Sequence, residues 1–115
     1  MTQTRGGAGK DDVKGQAVRV AELLNYQDEA IVSRTLLESK AGTVTLFAFD
    51  GGQGLSEHTA PYDAMVYVLE GEMVISISGN PLRVAQGGML IMPADKPHAL
   101  RAHERAKMML VMIRS

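Results

Sequence analysis

Two histidines, His58 and His98, carry most of the chemistry this chain offers, and they stand forty positions apart. Imidazole suits Zn, Fe, Ni and Cu, and also Mn where oxygen donors join it, so a divalent transition metal (Zn, Ni, Fe or Mn) is the first ligand class to weigh. A catalytic zinc normally takes three protein ligands and a structural one four, whereas only two imidazoles are in view. Tyr62 and Asp63 lie close enough to His58 in sequence to offer an oxygen. Without a metal the pair has other uses. With an ordinary pKa of about 6.5, imidazole binds an anion when protonated and shuttles a proton when neutral. It can equally be a hydrogen-bonded core residue. His103 lies an odd number of residues past His98 and would face the other way on one strand, so it is assigned to the surface.

Several other chemistries have no residues to carry them. No cysteine is present, which removes disulfides, thiolate catalysis and Cys-ligated zinc or iron–sulfur sites. No G-x-S-x-G elbow, P-loop or dinucleotide fingerprint is found, and the glycines sit between strands instead of opening helices. A net charge of −1 leaves no basic footprint, so neither nucleic acid nor membrane is expected as a partner. No apolar run approaches the ~20 residues needed to span a bilayer, and the N-terminus lacks the apolar stretch of a secretory signal. The expected location is the cytoplasm.

The elements that must position the histidines read as strands and turns. Residues 1–14 are rich in Gly, Lys, Asp and Thr and are expected to form a disordered arm ahead of one domain, 15–115. Residues 16–26 place Val20, Leu23 and Leu24 at helical spacing, while Val18 and Val20 equally suit a short strand. Strands are predicted at 30–37, 43–50, 64–69, 73–77 and 108–113, with a short apolar run at 89–92. Turn residues at 50–52, 70–72, 78–81 and 86–88 separate them, and the run 101–107 reads as an exposed charged loop. Within 43–50 both faces are apolar, Val44, Leu46 and Ala48 against Phe47 and Phe49, so both must be covered. One small barrel has little helix with which to cover an outer face. A homodimer is therefore expected, with Leu46 or Phe47 at its interface. Eight methionines against two Phe and no Trp serve as adaptable gap fillers or as the wall of a plastic pocket.

The stretch Gly52–Gly71, GQGLSEHTAPYDAMVYVLEG, and the stretch Gly87–His98, GGMLIMPADKPH, together resemble the two motifs of the cupin superfamily, G-x5-H-x-H-x3-E-x6-G and G-x5-P-x-G-x2-H-x3-N. Gly52, His58 and Gly71 fall in register with the first; Gly87, Pro93 and His98 fall in register with the second. The resemblance implies an all-β cupin double-stranded β-helix, a jelly-roll barrel of six to eight strands, with both histidines at its mouth. It also implies a small-molecule pocket bounded by His58, His98, Ala60, Ala64, Tyr62 and Met92. The ligand set departs from the pattern: the second His falls on Ala60, the Glu on Ala64, the motif Gly on Asp95 and the Asn on Ala102. The implied function is small-molecule binding with at most a weak metal site at His58 and His98. A metal-dependent dioxygenase or isomerase using the same pair is the alternative, and a non-catalytic accessory protein that binds a protein partner is a third.

Overall fold

Alternating apolar residues build two antiparallel sheets. The computed structural model describes residues 12–114. Its strands are β1 (Ile31–Ser39), β2 (Gly42–Phe49), β3 (Gly54–His58), β4 (Ala64–Glu70), β5 (Glu72–Ile77), β6 (Asn80–Ala85), β7 (Met89–Met92), β8 (His98–Arg101) and β9 (Ala106–Ile113). Five of them form one sheet in the order β1-β2-β9-β4-β7, and four form the other in the order β3-β8-β5-β6. The chain steps between sheets at Gly71, where φ is 74° and a side chain would begin 2.5 Å from the carbonyl oxygen of Arg105. Only glycine suits that corner.

The predicted strands are present with ends moved by a residue or two, and β3, β6 and β8 are additional. Nine strands exceed the expected six to eight. β3 and β8 are short, and β6 is an exposed edge strand that tolerates Pro81 because its outer side needs no ladder partner. Residues 16–26 adopt neither of the two forms expected of them in full: the regular part is a single 3-10 turn, Val20–Glu22. Of the expected arm, residues 1–11 lie outside the described residues, and Lys14 N–H closes a turn on Asp12 Oδ1 at 2.8 Å.

The inner faces of the two sheets meet in one core that includes Phe49, Val66, Val68, Met73, Ile75 and Met108, all fully buried. The outer face of the five-stranded sheet is half covered by residues 20–29, which cross it as a strap. Leu24 of the strap closes over Leu46 and Ala48, with Val20, Leu23 and Tyr26 beside them. The sequence-based expectation that Leu46 or Phe47 meets a partner is thereby corrected. Leu46 lies under the strap, and Phe47 points inward against the main core.

The strap is anchored by polar groups at its length. Arg34 Nη1 donates to the Leu23 carbonyl at 3.0 Å, Lys107 Nζ donates to the Ala21 carbonyl at 2.6 Å, and the Tyr26 hydroxyl donates to Glu70 Oε1 at 2.6 Å. Arg105 and Lys107 each stand 5.0 Å from the Tyr26 ring centre, an attractive arrangement for a cation over an aromatic face. Arg105 also pairs with Asp28 at 2.8 Å and Asp50 at 2.9 Å. The run 101–107 is thus the expected exposed loop only in part: residues 102–105 form the loop and His103, Glu104 and Arg105 are exposed, but Arg101 ends β8, Lys107 is buried in β9, and Arg105 is held by ion pairs. Burial, reinforced by Glu70, holds the Tyr26 hydroxyl well above its ordinary pKa, so it stays a donor.

Candidate functional site

His58 ends β3 and His98 begins β8, and the two are direct cross-strand partners. What aims them is a bulge. Leu55 pairs with Leu100 and His58 with His98, so β3 spends three residues where β8 spends two. In a regular strand Leu55 and His58 would point to opposite faces; the extra residue turns both inward. Gly54 permits the close approach of the strands here, because a side chain would collide with the Leu100 carbonyl oxygen. His98 continues the inner-face alternation with Leu100, and its other neighbour is Ile77 of β5.

The two rings meet edge to face, 4.5 Å between centres at 71°. His98 is buried, 4% exposed, while His58 is open to solvent. Each Nδ1 contacts the carbonyl oxygen two residues back, His58 to Ser56 at 2.8 Å and His98 to Lys96 at 3.1 Å. A carbonyl only accepts, so each Nδ1 carries the hydrogen and donates it. In the neutral rings both Nε2 atoms are then bare lone pairs. Burial, opposed by the Lys96 carbonyl and helped by His58, holds His98 below the usual imidazole pKa. The neutral, accepting form is the favoured one.

The connections on either side fix this end of the barrel. Residues 59–63 carry the chain from β3 to β4 and residues 93–97 from β7 to β8, each passing between sheets. They are tied together where Asp95 N–H donates to the Ala60 carbonyl at 2.7 Å and Ala94 N–H to Asp63 Oδ1 at 2.8 Å. The three motif glycines Gly52, Gly71 and Gly87 all take positive φ, at 88°, 74° and 86°, and Asp95, standing at a fourth motif glycine position, keeps that geometry with φ 65°. Asp is among the side chains that tolerate it.

Ala64 and Met92, read from sequence as pocket residues, are buried cross-strand partners on the inner face of the facing sheet, in one rung with Met112. Ala60 and Tyr62 are half-buried on the 59–63 connection. Asp63, offered above as an oxygen donor, has one carboxylate oxygen on the Ala94 amide. His103 is exposed beyond β8. Sequence reasoning missed a second set of residues. Phe47, Leu55, Ile77, Leu90 and Leu110 pack against the core yet remain half-buried. Strand alternation signals Leu90 and Leu110; Leu55 had no signal, because the bulged β3 does not read as a strand.

The donor set falls short of what a resident metal requires. Among the described residues no group of three or more His, Asp or Glu side chains is placed to hold a metal ion, and the positions that the cupin pattern fills with two further ligands are Ala60 and Ala64. The two edge-to-face imidazoles each keep one acceptor nitrogen, which suits them to receive hydrogen bonds.

Two antiparallel sheets packed as a jelly-roll barrel, with a cross-strand histidine pair, define the architecture of a cupin domain. The comparisons agree: the family model described as "Cupin domain" matches residues 45–114, and the chain belongs to that family. Among curated proteins it is similar to the polyketide synthase CurC of Streptomyces cyaneus, 32% identical over 108 residues, spanning 85% of this chain and 69% of that protein. Among solved structures it is similar to a conserved protein of unknown function from Streptococcus pyogenes, with 35% identity, TM-score 0.84 and coverage of 88% of this chain and 89% of the other. A cupin superfamily protein from Desulfitobacterium hafniense superposes with TM-score 0.85 at 25% identity, covering 91% and 96%. No helix among the described residues is long and apolar enough to cross a membrane.

Proposed function

We propose that this protein binds a small organic molecule between its sheets, an apolar body with a hydroxyl-type donor that reaches His58 and His98. The observation that carries this reading is the geometry of the pair: both Nδ1 atoms contact backbone carbonyls, which leaves the Nε2 of each ring as an acceptor, and the rings stand 4.5 Å apart beside the inner-face residues Leu100 and Ile77. Acceptor nitrogens select a donor, such as an alcohol, phenol or enol. Apolar lining supplies affinity and a few polar groups set orientation, the usual division of labour in a ligand pocket. Met92 and Met112 give the wall its adaptability. The similarity to a protein named a polyketide synthase supports the same class, since polyketide products carry phenolic or enolic hydroxyls on apolar frames. The cysteine-free composition supports a cytoplasmic setting.

The test is calorimetric titration with 1-naphthol and with its methyl ether, which has the same body and no donor. Naphthol is expected to bind at least about tenfold more tightly, the worth of one good hydrogen bond, and the difference is expected to vanish in His58→Ala. Equal affinity for the two compounds, or a naphthol preference that survives His58→Ala, contradicts the reading.

A further inference from the structure

We propose that the outer face of the four-stranded sheet carries a second ligand site, a hollow that takes a small organic carboxylate with a flat apolar body. Ile75 and Leu100 point into the core, so the residues that alternate with them, Val74, Ser76, Ala99 and Arg101, stand on the outside. There a hollow of about 450 Å³ lies across β3, β8 and β5. Its floor is low because small residues meet in it. Gly54, Arg101 and Val74 are successive cross-strand partners, and Ala99 pairs with Ser76 in the next rung on that face. A larger residue is excluded at Gly54, where a side chain would collide with the Leu100 carbonyl oxygen. The hollow is therefore built into the same pairing of β3 with β8 that positions His58.

The polar side chains around the hollow select the occupant. Ser56, Ser76, Arg101 and His103 line it, and none of the four side chains has a hydrogen-bond or ion-pair partner among the described residues. The other strand arginines are engaged, Arg34 with the Leu23 carbonyl at 3.0 Å and Arg83 with Glu72 at 2.8 Å. Arg101 keeps its whole fork of N–H donors. No Asp or Glu lines the hollow, and Glu57 and Glu104, next in sequence to Ser56 and His103, stand outside its wall. A chain of net charge −1 thus keeps an unopposed cation at this place. The donors are also sorted along the hollow: Arg101 closes β8 with His103 just beyond it, while Ser76 lies a rung further along and Ser56 sits in the bulge of β3. A planar guanidinium holds a carboxylate through two parallel hydrogen bonds. A flat body resting on Gly54, Val74 and Ala99 then carries a second acceptor to the two hydroxyls. The imidazole pair inside the barrel receives donors, whereas this hollow offers them, so the two sites take opposite chemistries.

The probe is 4-methoxybenzoate, which has a carboxylate, a flat ring and an ether acceptor but no donor for the histidine pair; its control is the neutral methyl ester. Titration followed by NMR of labelled Ala, Val and Met methyls is expected to shift Ala99 and Val74 and to leave Met92 in place. The ester is expected to bind at least about tenfold more weakly, because hydrogen bonds to a charged group are the stronger kind. R101Q removes the charge from an exposed side chain, and A99L keeps the charge but fills the floor. Each is expected to lower affinity for the carboxylate at least about tenfold, with the fold intact by circular dichroism. R101Q and the methyl shifts decide if A99L does not fold. No binding at millimolar concentration, equal affinity for acid and ester, undiminished binding by R101Q or by folded A99L, or shifts at Met92 without Ala99 and Val74 overturns the proposal.

Discussion

At the scale of the residue, the pair is asymmetric, and that asymmetry has measurable consequences. His98 is buried and held below its ordinary pKa, so on acidification the unfolded chain takes up this proton before the folded one. Through that window the unfolded state binds more protons, and stability must fall as pH drops below about 6.5 and be fully present above it. Denaturant midpoints at about pH 7.5 and about pH 5.5 are expected to separate in the wild type and to separate less in His98→Asn, which keeps a donor for the Lys96 carbonyl. Equal separation in the two proteins would assign the pH dependence elsewhere. The alanines that replace motif ligands make a second prediction. Ala64 is buried on the inner face, so Ala60→His with Ala64→Glu places an unpaired carboxylate in the interior and lowers stability by about 3 kcal/mol or more. Zinc is expected to restore the thermal midpoint and to bind far more tightly than to the wild type. A folded variant that gains no zinc affinity would show that these positions do not converge with His58 and His98.

At the scale of the element, the strap is a covering layer that sequence periodicity described only as an ambiguity. Val20, Leu23 and Leu24 have helical spacing, yet the segment is held by contacts from positions 34, 70, 105 and 107, distant in sequence and invisible to any local pattern. Replacing Tyr26 by Phe keeps the ring beneath its two cations and removes the bond to Glu70. The expected loss is about 1 kcal/mol in chemical denaturation. No loss would mean that the hydroxyl, although donating at 2.6 Å, finds an equal partner in water. The histidine strands teach the same point from the other side. β4 and β9 announce themselves by continuous apolar runs, whereas β3 offers one leucine in five residues and conceals a bulge, so the element that aims His58 carries no strand signal. The motif glycines were legible because positive φ leaves few alternatives to glycine; Asp95 shows that the geometry can persist where the residue does not.

At the scale of the whole molecule, the two sheets divide the methionines into reporters of inside and outside. Met73, Met92, Met108 and Met112 lie on inner faces, while Met65, Met89 and Met109 lie on the outer face of the five-stranded sheet. The fold was legible because two-residue alternation and turn residues recur along most of the chain, and the convergence of His58 with His98 followed from the motifs. The set of half-buried residues around the core was not, since Phe47, Leu55 and Ile77 are placed there only by the way the two sheets pack. The central claim is that the space between the sheets, capped by the two imidazoles, is where a small molecule binds. Methionine-methyl labelling tests it most directly: titration with 1-naphthol, followed by carbon-resolved NMR, is predicted to shift Met92 and Met112 and leave Met65 and Met89 in place, with the shifts lost in His58→Ala. Shifts confined to Met65 and Met89, or unchanged by His58→Ala, would contradict it.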